Sequence, residues 1–185
     1  MLDRQQWTGA PVPTFSGRLV HPLAPDPETI VIEDIAHHLA AVNRFNGATL
    51  MPYSVAQHSV LVSCCCDPVD SLHGLLHDAA EAYMGELVKP VKELGLLRAY
   101  RVIETHLLAA IYCRFGLAPG TPPSVMLMDE RIAATEARDL FVPAAVPHFA
   151  RVESEPMPRP IIEPWSARCA EEQFLNRFER LRSRS

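Results

Sequence analysis

Between Gly74 and Tyr83 the chain reads Gly-Leu-Leu-His-Asp-Ala-Ala-Glu-Ala-Tyr, three reactive groups on an apolar background. Leu72, Leu75, Leu76, Ala79 and Tyr83 recur at three- and four-residue steps, so the spacing predicts one helix over 69–84. Histidine, aspartate and glutamate are costly to bury unless they are paired, hydrogen-bonded or bound to a cation. Adjacent helix positions project about 100° apart, so His77 and Asp78 can flank one ion, with Glu81 a turn further along the same face. A nitrogen ligand, an oxygen ligand and a nearby carboxylate make a plausible metal-hydrolysis site. Two more residues sit where an apolar side chain would be ordinary: His58, amid Val55, Ser59 and Leu61, and Asp129, between Met128 and Ile132. Taken alone, a satisfied core histidine or a partly exposed aspartate is the commoner reading of each. Their order, His58, then His77-Asp78, then Asp129 on three long helices, argues for a shared ion. Imidazole in the set shifts the choice toward borderline transition metals.

The elements that must carry these residues are helical. Residues 1–29 hold Pro11, Pro13, Pro22, Pro25 and Pro27 and read as an extended arm, with a tight turn at Ser16-Gly17 and a small hairpin. The body, 30–185, opens with a helix from Glu33 or Asp34, whose acids serve the first-turn amides, to about Phe45, where Asn46-Gly47 ends it. Ser54 caps a second helix, Val55 to about Cys66, and Asp67-Pro68 stops it. Gly85 ends the 69–84 helix, and 85–92 reads as a loop. Further helices run from about Leu96 to Phe115, from Pro123 to about Phe141 with proline in the first turn, and from Ser166 to about Leu181. Residues 142–163 are a proline-containing surface connection. There is no internal repeat and almost no strand signal, so the class is all-α.

Composition excludes several functions. The chain has 185 residues, 48% of them hydrophobic, and suits one domain with a sizeable core. A net charge of −5 argues against a general nucleic-acid binder. No run approaches the ~18 apolar residues of a membrane span, and the N-terminus lacks a secretory pattern. Five cysteines, three of them consecutive at Cys64-Cys65-Cys66, make no disulfide framework, so the expected compartment is the cytoplasm. On a helix those three point in different directions and read as small buried residues.

The sequence resembles the HD-domain metal-dependent phosphohydrolases, whose pattern is one His, a His-Asp pair and a distant Asp. Tyr53-Ser-Val-Ala-Gln-His58-Ser and His77-Asp-Ala-Ala-Glu81-Ala-Tyr-Met-Gly-Glu86-Leu are similar to the nucleotide-hydrolysing branch, which includes bacterial deoxynucleoside 5′-monophosphatases and phage dATP triphosphohydrolases. The resemblance runs from about Ile32 to Leu140. It implies an HD helical bundle holding a divalent ion (Mn, Co, Zn or Mg) on His58, His77, Asp78 and Asp129, with Glu81 as the catalytic acid. Glu86 stands where the nucleotidases usually carry aspartate near the sugar, and Arg44-Phe45 matches an Arg-aromatic pair that binds phosphate and packs near the nucleoside.

The implied reaction is hydrolysis of a (deoxy)nucleotide, with a dATP-like triphosphohydrolase ahead of a 5′-monophosphatase. A non-catalytic nucleotide sensor is the alternative from another class. The planar fork of Arg44 suits phosphate, and Lys89 and Lys92 are expected at the outer phosphates, against the ordinary reading of solvated loop charges. His73 and His77 have a zinc-binding spacing, but the metalloprotease motif needs glutamate where Gly74 stands. His73 is read as a helix-face histidine and His37-His38 as structural or supporting. The expected partner is a nucleotide, with no membrane and no nucleic acid. Apolar stripes on the last helix and on the 96–115 helix leave a homo-oligomer open.

Overall fold

In the computed structural model, residues 9–149, 154–158 and 161–183 are described, and they form an almost wholly helical fold. Expectations for residues 1–8, 150–153, 159–160 and 184–185 lie outside the described residues. Ile32–Ala41 forms α1, which buries Ile32, Ile35, Ala36, Leu39 and Ala40 as one stripe. Val55–Cys65 forms α2, capped by Ser54, whose hydroxyl accepts the Gln57 N–H at 3.2 Å. Every residue from Val55 to Val60 is buried, so α2 is the central rod against which α1 and the later helices pack. Ser71–Leu76 is α3, Glu81–Met84 is α4 and Lys89–Lys92 is α5. Arg98–Arg114 is α6; Pro123–Leu140 is α7, with proline in its first turn; Ala167–Arg182 is α8, capped by Ser166. The main core joins α1, α2, α3, α6 and α8, and a smaller one joins Val62 of α2 to Val125, Met128 and Ile132 of α7. Among the described residues no helix is long and apolar enough to cross a membrane.

The N-terminal arm does carry a hairpin. Val12–Pro13 (β1) pairs antiparallel with Leu19–Val20 (β2) around the Ser16-Gly17 turn. Four expectations are corrected. The first helix ends at Ala41, not near Phe45, because 42–44 leave it to pair with 53–55: the Val55 N–H donates to the Val42 carbonyl at 3.0 Å and the Arg44 N–H to the Tyr53 carbonyl at 2.8 Å. The 69–84 helix is interrupted at His77–Ala80, where N–H groups reach carbonyls three residues back, as from Ala79 to Leu76 and from Glu81 to Asp78. The 85–92 loop winds its second half into α5. Of the cysteine triplet, Cys66 alone is buried, while Cys64 and Cys65 are exposed.

The long connection before α8 is tied down rather than loose. The buried Gln57 amide donates to the Glu163 carbonyl at 2.8 Å and accepts the Trp165 N–H at 2.7 Å. Asp139 accepts the Ile162 N–H at 2.9 Å, and Ile162 is buried beside Tyr53, Leu140 and Phe141.

Candidate metal centre

Helices α2 and α7 and the tight turn between α3 and α4 converge on one point. His58 Nε2 lies 3.3 Å from His77 Nε2 and 3.1 Å from Asp129 Oδ1. Asp78 Oδ2 lies 3.2 Å from His77 Nε2 and 3.6 Å from His58 Nε2, and His77 Nε2 to Asp129 Oδ1 is 3.9 Å. Donors that share an ion at about 2.1 Å sit roughly 3.0–3.5 Å apart, so this spacing is that of a coordination sphere. His58, His77 and Asp129 offer donor atoms close enough together to hold one ion, and Asp78 adjoins them from the His77 side.

The proton positions agree with a metal. His58 Nδ1 faces Glu136 Oε1 at 2.7 Å, and His77 Nδ1 faces the Gly74 carbonyl at 2.9 Å. A carbonyl only accepts, so His77 carries its proton on Nδ1, and the Glu136 carboxylate imposes the same on His58. Both Nε2 lone pairs then point at each other and at two carboxylates, an arrangement a cation resolves. A mixed nitrogen and oxygen set suits a divalent ion of the borderline class.

Without an ion, the charges are compensated by protons. Burial and Arg44 work against a charged His58, but Glu136 and Asp129 outweigh them and push its pKa up to about 9. Burial likewise opposes a charged His77, which Asp78 and Asp129 raise. Burial would lift Asp129, whose side chain is 41% exposed, but His58 and His77 hold it at about 2. Asp78 is held far below the usual range by His77, His58 and Arg44, against its own burial.

Glu136 was not anticipated, and it organises the centre. It is fully buried on α7, accepts from Tyr53 Oη at 2.8 Å and His58 Nδ1 at 2.7 Å on Oε1, and pairs Arg44 at 3.1 Å through Oε2. The signal was present: Glu136 stands four residues after Ile132 and four before Leu140, on the stripe that made Asp129 conspicuous. Arg44 is buried, reaches Asp78 at 3.4 Å, and keeps its Nε without a partner among the described residues. Phe45 follows it with φ 56°, its ring edge-on to Phe141 at 5.1 Å and the Arg44 guanidinium 5.0 Å from its centre.

The remaining expected residues divide. Glu81 is buried; burial and the Asp78 carboxylate raise its pKa to about 8 against the pull of Lys92. Lys92, expected at outer phosphates, instead lies 2.8 Å from Glu81 and 2.7 Å from Glu104. Lys89 is exposed at the start of α5. Glu86 accepts the Phe45 N–H at 3.2 Å, while its Oε2 is buried without a partner among the described residues. His73 is outside the centre, with Nε2 3.0 Å from the Ala118 carbonyl and its ring edge-on to Tyr112. His37 pairs Glu171, and His38 bridges the hairpin to α4, so both have structural roles.

No protein-family model matches the chain. It is 40% identical over 120 residues to an uncharacterized protein of Rhodobacter capsulatus, a match covering 60% of this chain and 61% of that one, so the match spans about three fifths of the relative's length. It is 38% identical over 129 residues to the uncharacterized protein YfdR of Escherichia coli, covering 70% of this chain and 71% of YfdR. At that identity and coverage, the chain belongs to the family of YfdR.

Proposed function

We propose that this chain is an HD-type, metal-dependent phosphohydrolase of (deoxy)nucleotides. The observation that carries the reading is the convergence of His58, His77, Asp78 and Asp129 on one coordination-sized space with Arg44 beside it. These four would hold a divalent ion, which would supply Lewis acidity toward a phosphoryl oxygen and a nucleophile at neutral pH. The free Nε of buried Arg44 is suited to a phosphate oxygen. Glu81, buried and 2.8 Å from Lys92, is suited to relay a proton from the attacking water to the departing sugar oxygen as water adds to phosphorus and the P–O bond to the sugar breaks.

Two reactions share this chemistry. Release of triphosphate from a dNTP needs cations along the β- and γ-phosphates. With Lys92 committed to Glu81 and Glu104, Arg44 is left as the buried cation at the centre, which favours a nucleoside 5′-monophosphate as substrate. All dNMPs and dNTPs, incubated in turn with Mn²⁺, Co²⁺, Zn²⁺ or Mg²⁺, separate the two by product: inorganic phosphate in one case, triphosphate plus nucleoside in the other. Nucleotide binding without turnover under every metal would overturn the hydrolase reading in favour of a sensor.

A further inference from the structure

The tip of the N-terminal hairpin is held more firmly than a surface turn requires. The Ser16 N–H and hydroxyl both donate to the Asp34 carboxylate, at 2.7 and 2.8 Å, and Asp34 is fully buried. Instead of serving the first-turn amides of α1, this carboxylate anchors the turn. The Phe15 N–H donates to His38 Nε2 at 3.1 Å, so His38 carries its proton on Nδ1 and donates it to the Ala82 carbonyl at 2.7 Å. This scaffolding fixes Phe15, which is nevertheless 62% exposed, its ring stacked on His37 with centroids 3.8 Å apart. A buried charge spent on fixing an exposed aromatic ring asks what that ring faces.

It borders a cleft of about 400 Å³ between the hairpin and Ala82–Gly85, lined also by His38, Val42, Glu81 and Tyr83. Glu81 and Tyr83 are 4% and 6% exposed, and each has a polar atom with no partner among the described residues, Glu81 Oε2 and Tyr83 Oη. Buried polar atoms of this kind cost stability unless a ligand or water completes them. No lysine or arginine among the described residues lines the cleft, so it suits the uncharged end of a ligand rather than its phosphates. Phe45, expected to stack on the base, is covered by the Arg44 guanidinium and abuts Phe141.

We propose that this cleft is the nucleoside subsite, with the base packed against Phe15 and a sugar hydroxyl bonded to Tyr83 Oη. The choice of a nucleoside rests on the nucleotide reading above; the anchored ring, the cleft and the orphaned atoms do not. Glu81 lines the cleft and also feels the Asp78 carboxylate, which places the cleft next to the metal centre.

The test is binding of the four 2′-deoxynucleosides to the full chain, with and without Mn²⁺, by saturation-transfer NMR and calorimetry. At least one binds without metal, Phe15→Ala weakens it about tenfold, Phe15→Trp restores it, and Tyr83→Phe weakens it several-fold. Absence of nucleoside binding, or equal affinity in Phe15→Ala with an unchanged melting temperature, overturns the subsite. Hydrolysis of dNMPs in that case would leave the phosphohydrolase standing; Phe15-dependent binding without hydrolysis under any metal would support the subsite and remove the enzyme.

Discussion

At the scale of single residues, the centre is a set of charges that each require the others. His58, His77, Asp78, Asp129, Arg44 and Glu136 lie within ion-pair distance of at least one other member. On the proposed reading, His77→Ala removes a donor and is expected to abolish stoichiometric Mn²⁺ binding in calorimetry. On the same reading, Glu81→Gln is expected to keep the metal and lower turnover by roughly a hundredfold to ten-thousandfold, the worth of a positioned proton-transfer group; unchanged turnover would exclude Glu81 from proton transfer. Glu136→Gln tests the carboxylate behind His58. Because such partners fix the tautomer and basicity of a ligand, metal affinity falls roughly 10–100-fold while the fold persists. Calorimetry beside circular dichroism distinguishes that from unfolding.

At the scale of elements, the ligands depend on how closely α3 approaches α2. A Cβ on Gly74 would come within 2.9 Å of Cys66 Sγ and 3.0 Å of Ser63 Cα, so this glycine is required by contact rather than by its dihedrals. Gly74→Ala is expected to destabilise by about 1–3 kcal/mol and, because the Gly74 carbonyl faces His77 Nδ1, to weaken metal binding as well. Denaturant unfolding and metal titration of the same sample check both. The tightened turn at His77–Ala80 sets the His-Asp pair at the junction of α3 and α4, where i→i−3 bonds alter the angular spacing of side chains. Likewise Phe45 and Asn46, at φ 56° and 52°, hold a left-handed turn unusual for residues other than glycine, directly beside Arg44.

At the scale of the molecule, pH acts on the stability of the fold and, on the proposed reading, on metal affinity. In the metal-free protein His58 sits near 9 against 6.5 when unfolded, so its contribution is full below pH 6.5 and lost as pH rises through 9. Glu81, near 8 against 4.5, has the same sign: the folded state holds a proton the unfolded chain has released, and stability falls as pH rises from 4.5 through 8. Asp129, near 2 against 3.8, acts oppositely, with stability lost as pH falls through that range. On these three groups the metal-free protein is therefore expected to be most stable between roughly pH 3.8 and 4.5, with stability falling slowly above that as Glu81 and then faster as His58 too loses its contribution. A bound cation must displace the His58 proton, so affinity rises with pH and the gain in melting temperature from Mn²⁺ is larger at pH 8.5 than at 6.5. Thermal melts with and without metal across that range check the sign.

Much of this was legible along the chain, because local rules decide it. Ser54 and Ser166 cap their helices, Pro123 opens α7, and the hairpin turns at Ser16-Gly17, since capping and turn chemistry act within a few residues. His58, His77-Asp78 and Asp129 stood out as polar groups on apolar stripes, and burial makes such placements conspicuous without any coordinates. Tertiary structure alone decided the rest. Lys92 is taken by Glu81 and Glu104, Glu136 joins Tyr53, Arg44 and His58, and the first helix stops at Ala41 because 42–44 pair with 53–55. Periodicity states which face of a helix is buried; it carries no information on which charge from a distant segment meets a given residue there, because that pairing is set by how the helices pack.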